Sequence, residues 1–230
     1  MKLCVIPARG GSKRIPKKNI KMFCGKPIIQ WSIEAALESN CFDRVIVSTD
    51  SEEISIISKA LGAEVPFIRP SNLSDDFTAT APVINHAIQY MSQNFQSVEL
   101  ACCIYATAPF IEANYIQDGL RKIIENEANF SFSVTTFPFP IQRAIKLNKE
   151  NKSEMFFPEN LNKRSQDLED SYHDAGQFYW GKSSAWLEGK RMFEDNSIPI
   201  IIPRHKVQDI DNEEDWIRAE IMFKAIQQFR

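Results

Sequence analysis

A chain of 230 residues has room for one large domain with a sizeable core, and 43% apolar with 25% charged residues excludes a disordered or fibrous protein. A net charge of −3 excludes the broad attraction that draws basic proteins to nucleic acid or anionic membrane, so neither is expected as a partner. No run approaches the about 18 apolar residues of a membrane span, and the apolar run at 3–6 is too short for a secretory leader, which makes the cytoplasm the expected location.

Short apolar runs alternate with amphipathic segments, which predicts an α/β protein with a largely parallel sheet. Residues 3–7 read as a buried strand, followed by a polar loop and by a helix that opens at Pro27, a position proline favours. Residues 44–49 predict the next strand. Asp50, with Glu53 three residues on, has the form of a helix cap and its reciprocal partner, and Gly62 is a natural stop. A third strand is expected over 63–68, before a turn-rich polar stretch at 69–76. A helix over 82–94, a strand over 99–105, a helix over 113–126 and a strand over 130–137 follow.

Over 138–172 prolines, a polar turn at Asn148 and scattered aromatics replace this alternation, so the segment reads as an inserted subdomain within a single 1–230 domain. Regularity returns at 176–181 and in a strand at 198–202. The last helix is expected to begin at Asp211, with Glu214 as capping partner, and to turn Ile217, Ile221, Met222 and Ile226 toward a core. Cys4, Cys24, Cys41, Cys102 and Cys103 are odd in number, lie in apolar contexts and lack zinc-type spacing, so they are expected as buried free thiols.

The chemistry concentrates after the first strand. Gly10 and Gly11 let backbone amides approach an anion, and Arg9, Lys13, Arg14, Lys17 and Lys18 crowd the same loop. In an open α/β sheet such a loop lies at the carboxyl edge, where ligands bind, and polyphosphate is the ligand its charge suits. It is neither a Walker loop, which needs Gly-Lys-Ser/Thr opening a helix, nor a dinucleotide fingerprint, which needs three spaced glycines. Asp209 and Asp211 flank Ile210, and on an extended segment both would point one way and could share a cation. Asp211 could equally cap the last helix.

The stretch Pro7-Ala-Arg-Gly-Gly-Ser-Lys-Arg-Ile-Pro-Lys-Lys-Asn19 resembles the nucleotide-binding loop of the CMP-sialic acid synthetase family, cytidylyltransferases that activate nine-carbon acidic sugars. Val47-Ser-Thr-Asp-Ser-Glu-Glu-Ile54, Arg69 with Asp76, His173-Asp-Ala-Gly176 and Asp209-Ile-Asp211 occur in the family's order across nearly the whole chain. Ile104-Tyr-Ala-Thr-Ala-Pro109 and Gln177-Phe-Tyr-Trp-Gly181 resemble the branch that handles pseudaminic acid. Tyr105 stands where sialate enzymes carry glutamine, so that glutamine's contact is not carried over.

The resemblance implies a Rossmann-like nucleotide-diphospho-sugar transferase fold with an inserted dimerisation subdomain over 138–172 and a homodimer. It implies CTP and a nine-carbon 2-keto acid sugar as substrates, with a legionaminate or N-acetylneuraminate enzyme as the near alternative and a non-catalytic nucleotide-binding module as the distant one. Arg9, Gly11, Ser12, Lys13, Lys18 and Asn19 would hold the triphosphate and cytidine, with Lys18 first and Arg9 next as the transition-state charges. Arg69 and Asp76 would organise the nucleotide. Arg164 would pair with the sugar carboxylate, and His173, Asp174, Gly176 and Gln177 would form the sugar pocket. Asp209 and Asp211 would hold Mg2+, which makes Asp211 part of the catalytic set. Surface glycan or flagellin modification would be the downstream use.

Overall fold

The computed structural model describes residues 1–194 and 196–228. Alternate residues of β1 (Lys2–Pro7) bury to opposite sides, Cys4 and Ile6 into one apolar cluster and Leu3 and Val5 into another. A strand covered on both faces has this pattern. A polar loop leads to a small ladder of β2 (Met22–Phe23) and β3 (Lys26–Pro27), and then to α1 (Ile28–Glu38). β4 (Arg44–Ser48), α2 (Glu52–Ala60), α3 (Thr80–Asn94) and β5 (Leu100–Ile104) follow. Next come α4 (Ala113–Glu125), β6 (Phe130–Thr136), and the paired β7 (Ile145–Leu147) and β8 (Ser153–Met155). The chain continues through β9 (Tyr172–Lys182), α5 (Ser183–Leu187), β10 (Ser197–Ile201) and α6 (Glu213–Gln228).

Among the described residues the main sheet has six strands in the order β10, β6, β9, β5, β1, β4, all parallel except β9. This is the α/β class the sequence predicts. Ile29, Ile33, Ile116 and Ile123 of α1 and α4 cover one face, and Ile84, Ile88 and Met91 of α3 cover the other. No described helix is long and apolar enough to cross a membrane. Four cysteines are buried free thiols as expected, whereas Cys24 is only partly buried.

A third apolar cluster positions the chemistry. Ile15, in the middle of the basic loop, packs with Phe23, Phe110 and, from α6, Trp216 and Phe223, and Ile210 joins the same cluster. Ile15 is 1% exposed and Ile210 0%. Each is an apolar anchor set among charged neighbours. Burying both in one cluster brings the basic loop and the acidic segment, nearly two hundred residues apart, to the same end of the sheet.

Several expectations are corrected. Residues 63–68 make isolated bridges at Glu64 and Ile68 and no strand, because Pro66 between them has no N–H to continue a ladder. The cap of α2 is Ser51, whose Oγ accepts from Ile54 N, and Asp50 serves elsewhere. Helix α6 is capped by Asn212 and Asp215, each accepting the other's backbone N–H at 3.0–3.1 Å, and Asp211 is not the cap. Starting there, α6 buries Trp216, Ala219 and Phe223; of the expected core face Met222 and Ile226 pack against the same cluster, partly buried, whereas Ile217 and Ile221 are exposed. β9 starts at Tyr172 and is longer than foreseen, since a register shift opposite Ser133 absorbs extra residues.

Candidate active site

The loop after β1 closes over the sheet edge as a network of caged cations. Arg9 Nη1 donates to Asp76 Oδ1 at 2.5 Å and to the Asp75 carbonyl, and Lys13 Nζ meets Asp76 Oδ2 at 2.5 Å. Hydrogen bonds from Lys13 and then Arg9 hold the Asp76 carboxyl below the usual carboxylate range. Asn19, 7% exposed, donates from Nδ2 to the Arg9 carbonyl and fixes the loop. Gly10 N donates to Asp50 Oδ1 at 2.8 Å, and a Cβ on Gly10 would stand 3.1 Å from Ser51 Cβ, so the close approach to α2 favours glycine. Gly11 is exposed with open space about it.

Arg9, Ser12, Lys18, Asn19 and Arg69 line a cleft of about 220 Å³, closed at the far side by Thr80 and Tyr105. The Arg69 side chain is 4% exposed, its Nη2 is 3.9 Å from Asp50 Oδ1, and Nε and Nη2 have no hydrogen-bond partner among the described residues. Burial lowers its affinity for the proton, with Asp50 opposing. A guanidinium held this dry without full compensation destabilises the empty protein and is available to a ligand. Arg69→Met is therefore expected to raise the melting temperature of the ligand-free protein by about 2–4 °C for each kcal/mol of relieved desolvation. Calorimetry checks this, and a fall in Tm would mean that Asp50 already compensates the charge.

Lys18 lies where the two anchored segments meet. Its Nζ donates to the Ile210 carbonyl at 2.7 Å and lies 3.9 Å from Asp211 Oδ1. Burial lowers the ammonium's pKa, and the carboxylates of Asp211 and Asp209 work against that shift. Asp209 is pushed up by desolvation and by the neighbouring Asp211, with Lys18 opposing. Arg14 Nη2 donates to Asp211 Oδ1 at 2.7 Å. Lys17, by contrast, turns away to Glu53 at 2.8 Å.

The described residues contain no cluster of three or more metal-ligating side chains. A pair of neighbouring carboxylates, one of them raised by the other, fits a hard divalent cation whose remaining ligands are phosphate oxygens and water.

A second cleft, of about 960 Å³, opens on the other side of Tyr105 and is lined by His173, Asp174, Gly176 and Tyr179 of β9 and by Asp209. The β9 irregularity shapes it. Ser133 Oγ accepts the N–H of both Gln177 and Phe178, and Gly176 takes φ +64° while donating to Asp174 Oδ1. Asp174 Oδ2 accepts from the Tyr179 hydroxyl at 2.7 Å, and His173 Nδ1 donates to the Asp174 carbonyl. Gln177 is 3% exposed and lines neither cleft, and its Nε2 holds the Lys206 carbonyl at 2.6 Å. Arg164 also lines neither cleft. It lies in the 138–172 segment, bonded twice to Asp167 at 2.7 and 3.0 Å.

Sequence reasoning missed Asp50, Thr80 and the pairing of Arg14 with Asp211 in the first region, and Arg204, His205 and Arg218 in the second. Asp50 lies within the 47–54 motif, where its spacing to Glu53 has the form of a helix cap and hides its role in the loop. The basic run at 204–206, bounded by Pro203, is the one local signal for the second group.

The family model described as Cytidylyltransferase matches residues 3–196, which include the basic loop and end before the acidic pair. A pseudaminic acid cytidylyltransferase of Campylobacter jejuni is 46% identical over 223 residues, 97% of this chain and 96% of that protein. The CMP-N,N'-diacetyllegionaminic acid synthase of Legionella pneumophila is 30% identical, over 98% of this chain and 97% of that one. Among solved structures, a CMP:2-keto-3-deoxy-manno-octonic acid synthetase complexed with CTP aligns with a TM-score of 0.72 at 15% identity, covering 97% of this chain and 98% of that chain. That likeness is one of fold.

Proposed function

Because this chain belongs to the cytidylyltransferase family, we propose that it joins CTP and pseudaminic acid to give CMP-pseudaminic acid and pyrophosphate. The observation that carries this reading is the meeting of two clefts at Tyr105, one rimmed by the basic loop and the other by Asp209, with Lys18 lining the first and interacting with Asp209 of the second. The sugar's anomeric hydroxyl oxygen bonds to the α-phosphorus of CTP, the bond from that phosphorus to the bridging oxygen breaks, and the hydroxyl proton is lost to solvent.

Such transfers are accelerated mainly by alignment and by fixed charge on the moving oxygens. Arg9, Ser12 and Lys13 take the triphosphate, the cations exchanging Asp76 for phosphate oxygens, while Asn19 and Arg69 face the nucleoside. Lys18 places its ammonium at the transferring phosphoryl group. Asp209 and Asp211 would hold a divalent cation, magnesium in this reading, which would supply positive charge to the α-phosphate and the departing pyrophosphate.

Tyr105 turns its hydroxyl to Thr80 at 3.1 Å and its ring to Tyr179 at 5.2 Å, so the seam is a pair of aromatic faces where a glutamine would bring an amide. Such faces suit a sugar rich in deoxy carbons and acylamido methyl groups. In the 138–172 segment Phe139, Ile145 and Leu147 are 80%, 61% and 67% exposed, an apolar surface that favours the homodimer expected there.

The test is pyrophosphate release from CTP with pseudaminate, N,N'-diacetyllegionaminate and N-acetylneuraminate offered separately. Pseudaminate is expected to lead in kcat/KM by at least about tenfold. Rapid turnover of N-acetylneuraminate with none of pseudaminate overturns the substrate assignment, and CTP binding without turnover of any sugar makes the chain a nucleotide-binding module.

A further inference from the structure

Among the described arginines, eight have a carboxylate or a carbonyl of the protein within ion-pair or hydrogen-bond reach. Arg9, Arg14, Arg44, Arg69, Arg121, Arg164 and Arg191 meet carboxylates, and Arg143 donates to the Lys163 carbonyl. The two left over, Arg204 and Arg218, come from different elements and line the same cleft, the one that holds His173 and Asp174. The cleft's own acids, Asp174 and Asp209, form no ion pair with them: both oxygens of Asp174 are occupied by Gly176 N and the Tyr179 hydroxyl, and Asp209 interacts with Lys18. Two guanidinium groups sharing a cleft with no carboxylate paired to either repel each other, and an anion between them removes that cost.

We propose that Arg204 and Arg218 together receive the carboxylate of the acidic sugar, an inference that rests on the acid-sugar reading above. The carboxylate of a 2-keto acid sugar is bonded to the anomeric carbon, so its receptor must stand beside the reacting hydroxyl. Arg204 begins the short turn Arg204–Lys206 on the segment that runs on to Asp209, and Arg218 follows the capped first turn of α6 that leads away from Asp211. Both are therefore tied to the backbone that carries the acidic pair.

Each base of support is pinned. Gln177 Nε2 holds the Lys206 carbonyl, Lys206 Nζ meets Glu112 at 2.7 Å, and Trp216 and Ala219 fix α6 in its cluster. Gln177 thus acts as a positioning residue for Arg204. Guanidinium forks meet a carboxylate with parallel hydrogen bonds, which orients the sugar as well as holding it. Arg164 already spends its fork on Asp167 and lines neither cleft of its own chain.

The experiment pairs protein variants with a chemical change in the substrate. Arg204→Gln, Arg218→Gln, the double variant and Arg164→Gln are assayed with the turned-over sugar and with its C1 carboxamide, varying sugar at saturating CTP. Each single change at Arg204 or Arg218 is expected to raise the KM for the acid sugar about tenfold or more, as the loss of a hydrogen bond to a charged group predicts. The KM for CTP should stay within about twofold, which also reports an intact fold. Wild type should lose a comparable factor on the carboxamide, and the double variant should treat acid and amide alike.

An unmoved sugar KM in both variants overturns the proposal, as does an acid-to-amide preference that survives in the double variant or disappears in Arg164→Gln instead. If wild type turns over no 2-keto acid sugar, the functional reading fails first and this inference falls with it. Normal wild-type turnover beside unaffected arginine variants sinks the inference alone.

Discussion

Lys18→Met is expected to lower kcat by about 10²–10³-fold, the loss typical of removing one preorganised charge from a transition state. The KM for CTP should move far less, because Arg9, Ser12, Lys13 and Asn19 remain to bind the nucleotide. The side chain is 20% exposed and its Nζ is fixed by the Ile210 carbonyl at 2.7 Å, so little reorganisation accompanies the reaction. Its charge is sustained by Asp211 and Asp209 against the burial that would strip it. Methionine keeps the length and the apolar stem of the side chain, which confines the loss to the ammonium.

Lys18→Arg should recover only part of the rate, since a planar fork cannot occupy the place of a compact ammonium between a carbonyl and a carboxylate. Single-turnover kinetics at saturating CTP reads the effect directly. A kcat near wild type with a large rise in the KM for CTP would make Lys18 a ground-state anchor and remove it from the chemical step.

The basic loop was legible because its signals are local: the end of a strand, two adjacent glycines and a run of cations need no distant partner to be noticed. What each cation does was not local. Lys17 and Lys18 are neighbours in sequence, yet one pairs with exposed Glu53 while the other reaches the carbonyl of Ile210. The choice depends on Lys17 taking φ +53° and on Ile15 burying beside Ile210, contacts that exist only in the folded chain. Helix α6 shows the same limit. Its isoleucines follow a helical period as well as its aromatics do, and only the cap at Asn212 together with the waiting Phe23 and Phe110 selects the Trp216 and Phe223 face.

The second cleft was the least readable part. His173, Asp174 and Gly176 were found through a contiguous motif, but Gln177 from the same stretch is buried behind it, because the β9 irregularity changes which residues face the opening. Arg204 and Arg218 are conspicuous only for lacking partners. An unpaired charge is a three-dimensional observation, and no spacing in the chain announces it.

The second large effect is expected at Asp211, and it separates a chemical role from a structural one. Had Asp211 capped α6, its removal would cost about 1 kcal/mol of stability, and any lost activity would be ambiguous. The cap is instead the reciprocal pair of Asn212 and Asp215, which leaves the Asp211 carboxylate to Arg14 and Lys18. Asp211→Ala is therefore expected to shift stability by less than about 1 kcal/mol, since the ion pairs lost are partly exposed ones. CTP binding should remain measurable, while turnover falls at least about 10²-fold through loss of the cation's anchor. Asn212→Ala should do the reverse, losing about 1 kcal/mol of stability at nearly unchanged kcat. Thermal unfolding, CTP titration and pyrophosphate release on the two variants give the comparison. Full turnover in Asp211→Ala across a magnesium titration would remove the metal assignment, and with it the reason for Asp209 and Asp211 to face one cation.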